Sequence, residues 1–288
     1  MAMEITIRPG IQCICRCNAA IPKLLSQFSL PSKPTSPSSF QQWRKQLSTT
    51  RSLAHEATVA VNLATERNAD ASLVLKKKAT DICADLKGTS IFLLGMNSTM
   101  KTSVGKLIAD ELRYYYFDSD NLVEEAAGED SSGKSFRERD EDGFRKSETE
   151  VLKQLSSLGR LVVNAGNGAV QGVTNLALLR HGISIWIDVP LDIIAKEFVR
   201  DDEQSLISNI STPEPFSEAL DQLTLLYEEN RSRYATADAT ISLQKVATKL
   251  AYDEFEQVTA DDMALEVLTQ IEKLTRVKKL MEEAGRPF

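Results

Sequence analysis

Three residues in the first half of the sequence have the types and spacing of a phosphate-binding loop: Gly95, Lys101 and Thr102. They lie between an apolar run, Ile91–Leu94, that predicts a buried strand, and a pattern of apolar residues with helical spacing. Strand, turn and helix are the context of the G-x-x-x-x-G-K-[ST] motif, in which backbone N–H groups cradle phosphates. The motif has glycine before the lysine, whereas this chain has Met100, whose side chain fills space that the phosphates or the loop would need. The sequence therefore predicts either an altered phosphate site or the remnant of one.

A sheet must position this loop, and five short apolar runs alternate with helical patterns along the chain. The runs predict strands at residues 91–94, 114–118, 161–166, 184–189 and 239–243. This alternation predicts a parallel α/β sheet covered by helices on both faces, which binds ligands at the carboxyl ends of its strands. Asp118, Asp120 and the turn Gly166-Asn167-Gly168 fall at those ends. We therefore expect these residues to share one edge of the sheet with the Gly95 turn.

Composition excludes some classes of protein. The 288 residues allow one or two domains with a sizeable core, and the net charge of −7 argues against nucleic acid as the main partner. The sequence lacks a run of about 18 apolar residues, so no membrane span is expected. The charge is uneven: residues 1–54 carry seven Lys or Arg and one Glu, a balance of +6 that leaves −13 for the rest.

Residues 1–54 are basic, nearly free of acids and rich in Ser and Thr, which is the composition of a disordered transit peptide, plastid rather than mitochondrial. A disordered tail without a targeting signal is the alternative.

The rest of the chain is divided by its patterns. Residues 55–87 predict a helical lead-in, 88–279 the main domain and 280–288 a C-terminal tail. The Cys13, Cys15 and Cys17 run has no fourth ligand nearby, so no metal site is predicted. Cys83, alone in a helical pattern, is predicted to be packed.

Several segments in order resemble shikimate kinases, and the plant plastid form most closely, over roughly residues 75–275. They include LKKKATDICADLKGTSIFLLGM, YYYFDSDNLVEEAAG, GFRKSETEVLKQLSSLGRLVV and IWIDVPLDIIAKEF. The resemblance implies a P-loop, nucleoside-monophosphate-kinase-like α/β fold, with a five-stranded parallel sheet flanked by helices and a mobile lid. It also implies that active members use ATP and magnesium to phosphorylate the 3-hydroxyl of shikimate.

The resemblance gives roles to individual residues. Lys101 matches the phosphate-binding lysine and Thr102 the hydroxyl on the magnesium side. Asp118 and Asp120 match a D-x-D pair that serves magnesium and the substrate hydroxyls, although a strand-ending turn would also favour aspartate. Arg145 matches the arginine that holds the shikimate carboxylate, with Glu148 as its orienting partner. An i,i+3 ion pair on a helix face is the other interpretation of that last pair.

The sequence departs from the family pattern where chemistry is most demanding. Ser98 and Met100 replace two glycines of the loop, and Asn167 replaces the middle glycine of a Gly-Gly-Gly turn. Residues 201–230 contain no Lys or Arg, although the family's lid carries an arginine there. Asn230 stands where the family has an arginine four residues before a tyrosine.

The sequence-based interpretation is a plastid member of the family that has lost shikimate kinase activity and has a non-catalytic role in chloroplast biogenesis or development. No catalytic or metal-binding residue is assigned, and ATP with magnesium is expected only if the loop still binds them. A plastid protein partner is conceivable. The alternatives are an ATP-dependent small-molecule kinase with an altered substrate, residual shikimate kinase activity, and an ATP-responsive binding module. The vestigial site residues are Gly95, Lys101 and Thr102 for phosphate, and Asp118, Asp120, Arg145, Gly166 and Gly168 for substrate.

Overall fold

The computed structural model describes residues 56–128, 135–205 and 215–285. The predicted transit peptide, residues 206–214 of the lid stretch and the last three residues lie outside the described part. The helices are α1 Glu56–Leu86, α2 Thr99–Leu112, α3 Ser119–Ala127, α4 Phe136–Arg139, α5 Glu141–Ser156, α6 Val173–Leu179, α7 Leu191–Ser205, α8 Pro215–Tyr234, α9 Leu243–Leu250 and α10 Ala260–Ala284. The strands are β1 Ile91–Leu94, β2 Tyr115–Asp118, β3 Leu161–Asn164, β4 Ile183–Asp188 and β5 Ala239–Ser242.

The five strands form one parallel sheet in the order β2-β3-β1-β4-β5, which confirms the predicted fold class. β1 lies at the centre, where Phe92 pairs with Val163 of β3 and Ser184 of β4. Every residue of β1 and β3 is buried. Helices cover both faces of the sheet, and its central strands are accordingly rich in apolar residues, with β1 a continuous apolar run. That pattern is why the strands could be recognised in the sequence.

The lead-in helix α1 packs onto the same core as the sheet. Its buried residues Leu75, Ala79, Ile82 and Leu86 recur every three or four positions and form one stripe. This stripe faces α10 and α2, and Lys78 pairs with Glu272 of α10. The long helix is therefore part of the packed domain.

Three local features differ from the sequence-based expectation. Helix α2 begins at Thr99 rather than near Lys101, because the Ser98 side chain accepts a hydrogen bond from the Lys101 N–H and caps the helix. Helix α10 continues to Ala284, so much of the predicted C-terminal tail is helical. Cys83 is exposed, and the prediction that it is packed was wrong.

Candidate functional site

A cleft of about 550 Å³ opens at the carboxyl ends of β1, β2 and β3. Thr102, Asp118, Asp120 and Asn164 are among the residues that line it. The sheet thus brings the predicted phosphate and D-x-D residues to one edge, as expected for a parallel α/β sheet. Lys101 does not line this cleft.

Gly95 makes the sharp turn from β1 into the loop. Its φ of +121° is a conformation that side chains with a Cβ rarely adopt. A Cβ on Gly95 would lie 2.3 Å from the carbonyl oxygen of Ile187 in β4. The glycine is therefore required by its positive φ and by the nearby carbonyl oxygen of β4, independently of any ligand.

The Lys101 side chain is fully buried and turned into the protein. Its Nζ donates to the carbonyl oxygens of Gly95 and Ala165, at 2.8 Å each, and to Asn97 Oδ1 at 3.0 Å. An ammonium has three protons, so these acceptors use all of them. Burial lowers the Lys101 pKa to about 8, although the carboxylates of Asp120 and Asp118 act in the opposite direction.

Backbone donors of the loop are also paired within the chain. The Asn97 N–H donates to Asn167 Oδ1 at 2.8 Å, and the Lys101 N–H donates to Ser98 Oγ at 3.2 Å. Both acceptors are side chains that stand where the family has glycine. The Thr99 N–H donates to Glu197 Oε2 at 2.9 Å, and its hydroxyl donates to Glu197 Oε1.

The two residues predicted for the magnesium side, Asp118 and Thr102, also form hydrogen bonds within the chain. Asp118 caps α3, since its Oδ1 accepts from the N–H groups of Asp120 and Asn121 at 3.1 Å each. Asn164 Nδ2 donates to Asp118 Oδ2 at 2.7 Å and to Thr102 Oγ1 at 3.3 Å. The turn interpretation of Asp118 therefore holds in this structure, because the carboxylate organises the start of a helix.

On the substrate side, Asp120 is paired with a residue that the sequence analysis did not single out. Arg137 Nη2 lies 2.7 Å from Asp120 Oδ2, and the Arg137 guanidinium carbon lies 4.2 Å from the centroid of the Phe144 ring. Asn97 Nδ2 donates to the same Asp120 oxygen at 3.3 Å. Asp120 thus carries a cation from its own chain, held by an ion pair and a cation–π contact.

Gly166 and Gly168 allow charged side chains to lie directly on the backbone. A Cβ on Gly166 would lie 1.9 Å from Asp120 Oδ1, and one on Gly168 would lie 1.5 Å from Arg145 Nη1. The structure therefore brings Asp120 close to Gly166 and Arg145 close to Gly168.

Arg145 and Glu148 form the ion pair that the sequence allowed, with Nη1 and Oε2 3.3 Å apart. Arg145 also pairs with Glu141 at 3.3 Å. The Glu148 side chain is fully buried, and its Oε1 has no hydrogen-bond partner among the described residues. Burial raises the Glu148 pKa, the charge of Asp120 raises it further, and Arg145 partly offsets both.

The raised pKa predicts a pH dependence of stability. The folded state holds the Glu148 proton more tightly than the unfolded state, so Glu148 stabilises the fold below its ordinary pKa of 4.5, and this contribution is lost as pH rises through the folded-state value. We expect the free energy of unfolding of wild type, relative to Glu148→Gln, to fall above pH 4.5 by at most about 1.4 kcal/mol per pH unit. Urea denaturation at pH 4.5, 6 and 7.5 measures this difference.

Glu150 provides the matched control, since it lies on the same helix but its side chain is 59% exposed beside Lys153. Glu150→Gln should shift unfolding by a nearly constant amount across this pH range. Equal pH profiles for the two variants would contradict the assignment to Glu148.

At the family's second arginine position, Asn230 is buried and satisfied locally. Its Nδ2 donates to the Leu226 carbonyl at 2.9 Å, and its Oδ1 accepts from Arg233 Nη1 at 3.1 Å. Arg231 and Arg233 also lie near Glu228 and Glu229 on α8, at 3.8 Å each. Neither arginine lines the cleft.

Comparison with known proteins decides the family. The shikimate kinase family model matches residues 97–262, more than half of the chain. The chain belongs to this family. "Probable inactive shikimate kinase like 1, chloroplastic" of Arabidopsis thaliana is 61% identical over 215 residues, 75% of this chain and 74% of that protein. "Shikimate kinase 3, chloroplastic" of Oryza sativa subsp. japonica is 39% identical over 215 residues, 74% and 75% of the two chains.

A solved structure agrees with this membership. Shikimate kinase from Acinetobacter baumannii, in complex with shikimate, is 27% identical and matches with a TM-score of 0.50. The match covers 66% of this chain and 96% of the bacterial one. The chloroplastic names of the plant relatives bear out the predicted plastid location.

The shikimate kinase fold implies ATP and magnesium, and the loop does not fit a phosphate in this structure. The N–H groups of Asn97, Thr99 and Lys101 already have acceptors from the chain, whereas Asp118 and Thr102 each keep an acceptor lone pair beyond the hydrogen bonds they accept and would be the residues on the magnesium side. In the described part of the chain, no three His, Cys, Asp or Glu side chains are grouped so as to hold a metal ion.

None of the described helices is long and apolar enough to cross a membrane.

Sequence reasoning missed Arg137, Glu197 and the bridging role of Asn97. Arg137 lies 17 positions from Asp120, and Glu197 lies 98 positions from Thr99. No local motif spacing connects such pairs. The available signal was the presence of Ser98 and Asn167 where the family resemblance expects glycine, since both side chains accept hydrogen bonds from N–H groups of the loop.

Proposed function

We propose that this shikimate kinase family member is non-catalytic and acts in the plastid through its folded surface rather than by phosphoryl transfer. The observation that carries the proposal is the inward Lys101, whose three ammonium protons are all donated to acceptors of the protein itself. Phosphoryl transfer depends almost entirely on positioning and charge neutralisation. A lysine held in this way contributes to the fold and not to a phosphate.

The missing arginines point in the same direction. A charge-assisted hydrogen bond is worth about 1.5–3 kcal/mol, so losing the lid arginine and the arginine at position 230 costs about 3–6 kcal/mol of transition-state stabilisation. That corresponds to roughly a hundred- to ten-thousandfold in rate. Arg231 and Arg233 do not replace them, because both lie beside glutamates of their own helix.

The name of the Arabidopsis relative, which includes "probable inactive", supports the same conclusion. For the biological role we propose a contribution to chloroplast biogenesis or development through a plastid protein partner. The motivation is that the sheet and its buried core are complete while the chemistry-bearing residues are altered or internally paired.

The proposal is tested by shikimate-dependent ADP release from the purified full chain with ATP and magnesium. The rice relative named shikimate kinase 3 serves as the active control. We expect turnover below about one hundredth of the control, given the two missing charge-assisted contacts. Turnover within about tenfold of the control would overturn the proposal.

A small-molecule kinase with an altered substrate is a second candidate, favoured by the cleft that still contains Thr102, Asp118 and the exposed cation Lys106. Such an enzyme must bind nucleotide. No change in the thermal unfolding temperature on adding ATP with magnesium would count against it, whereas a magnesium-dependent increase would support it.

A further inference from the structure

A carboxylate from a distant helix lies at the amino terminus of α2. Glu197 of α7 accepts from the Thr99 backbone N–H at 2.9 Å and also from the Thr99 hydroxyl. Thr99 is the first residue of α2, where the helix has unpaired N–H groups and a partial positive charge. Ser98, Thr99 and Glu197 all line the rim of the cleft.

The chemistry of this contact is the chemistry of phosphate binding. A helix amino terminus that follows a strand binds anions through its N–H groups and its dipole. In this chain a carboxylate provides the negative charge, and two uncharged oxygens, Asn167 Oδ1 and Ser98 Oγ, accept from the neighbouring loop N–H groups. The acceptors that a phosphate would supply therefore come from three side chains of the protein.

The three contacts come from separate elements. Ser98 is in the loop itself, Asn167 follows β3, and Glu197 lies on α7. Lys101 completes the arrangement, because its ammonium turns inward to the carbonyl oxygens of Gly95 and Ala165. The Asn97, Thr99 and Lys101 N–H groups and the Lys101 ammonium therefore all donate to acceptors of the protein itself.

We propose that Glu197 is a built-in anion that occupies the phosphate position of the loop and keeps external phosphates out. The inference rests on the proposed function. It adds a reason why the loop does not bind nucleotide phosphates. Glu197 competes directly for the Thr99 N–H, and its removal opens that position to a phosphate.

The test uses inorganic pyrophosphate, which probes the phosphate position without adenine or magnesium. The backbone amide resonance of Thr99 is followed by NMR during titration of the full chain. Wild type should bind pyrophosphate weakly, and Glu197→Ala should bind it about three- to thirtyfold more tightly, the range expected for one charge at a helix terminus. Glu197→Gln keeps an acceptor without charge and should fall between them.

Glu256→Gln is the matched control, because Glu256 pairs with the neighbouring Lys196 at 3.2 Å and lies outside the cleft. It removes one negative charge without touching the loop and should leave pyrophosphate affinity within about twofold of wild type, since exposed charges act weakly at a distance. A gain equal to that of Glu197→Gln would overturn the proposal, as would unchanged affinity in both Glu197 variants.

A second measurement examines the contact itself. In wild type without any anion, hydrogen exchange of the Thr99 amide should be slow; in Glu197→Ala it should be faster and slowed again by pyrophosphate. Fast exchange in wild type would overturn the proposal. These outcomes are independent of the ADP-release assay: turnover in wild type would refute the proposed function, whereas unchanged pyrophosphate affinity would refute only the role of Glu197.

Discussion

Replacing Lys101 with methionine is expected to lower the free energy of unfolding by about 2–4 kcal/mol. The change keeps a long unbranched side chain but leaves the buried carbonyl oxygens of Gly95 and Ala165 without a donor. A buried acceptor that loses its partner costs about 1–3 kcal/mol, and relief from burying an ammonium offsets part of the total. Urea denaturation at pH 7, below the Lys101 pKa of about 8, measures the loss with the wild-type amine protonated.

Lys106→Met is the control for this experiment. Lys106 lies on the same helix but is exposed, with its Nζ 5.8 Å from the centre of the Tyr116 ring. Its replacement should change the free energy of unfolding by no more than about 0.5 kcal/mol. If Lys101→Met were equally mild, the buried lysine would not stabilise the fold, contrary to the structural role proposed for it.

The sheet could be predicted from the sequence because its physical signal is local. The four residues of β1 are apolar and buried, and a short apolar run between helical patterns is typical of a central strand in a parallel sheet. The edge at which site residues gather followed from the parallel topology alone. This is why Asp120, Gly166 and Gly168 could be expected at one edge from the sequence pattern, whereas Arg145, on α5, was assigned to the same site only by the family resemblance.

The side-chain contacts within the site could not be predicted, because they join segments that are distant in the sequence. Lys101 has the same identity and spacing as a phosphate-binding lysine, yet its direction is set by the Ala165 carbonyl, 64 positions away. Arg137 reaches Asp120 from α4, a helix of four residues that the sequence analysis did not identify. The motif therefore indicated the fold correctly but not the present use of its residues.

The largest expected loss of stability from a single methyl group is at Gly95. In Gly95→Ala the new Cβ would lie 2.3 Å from the Ile187 carbonyl oxygen and 3.2 Å from Trp186 Cδ1, and the φ of +121° disfavours any side chain. Backbone strain of about 1–3 kcal/mol and a steric clash of about 1–3 kcal/mol add to a loss of about 3–5 kcal/mol. Thermal and urea unfolding should both show it, and the soluble yield should fall.

Gly128→Ala is the control that shows how much stability is lost through a positive φ without a steric clash. Gly128 also has a positive φ, +76°, but an added Cβ there would meet no atom of the described residues within 4 Å. Its replacement should therefore cost only the conformational part, about 1–3 kcal/mol, because its φ of 76° and ψ of 161° are adopted almost solely by glycine. Equal losses at the two glycines would show that β4 yields to the Gly95 methyl group. A much larger loss at Gly95 would show that this glycine of the phosphate-binding motif is required by the close approach of β4 to the turn after β1, so that the motif's residues can persist for the fold after phosphate binding has been lost.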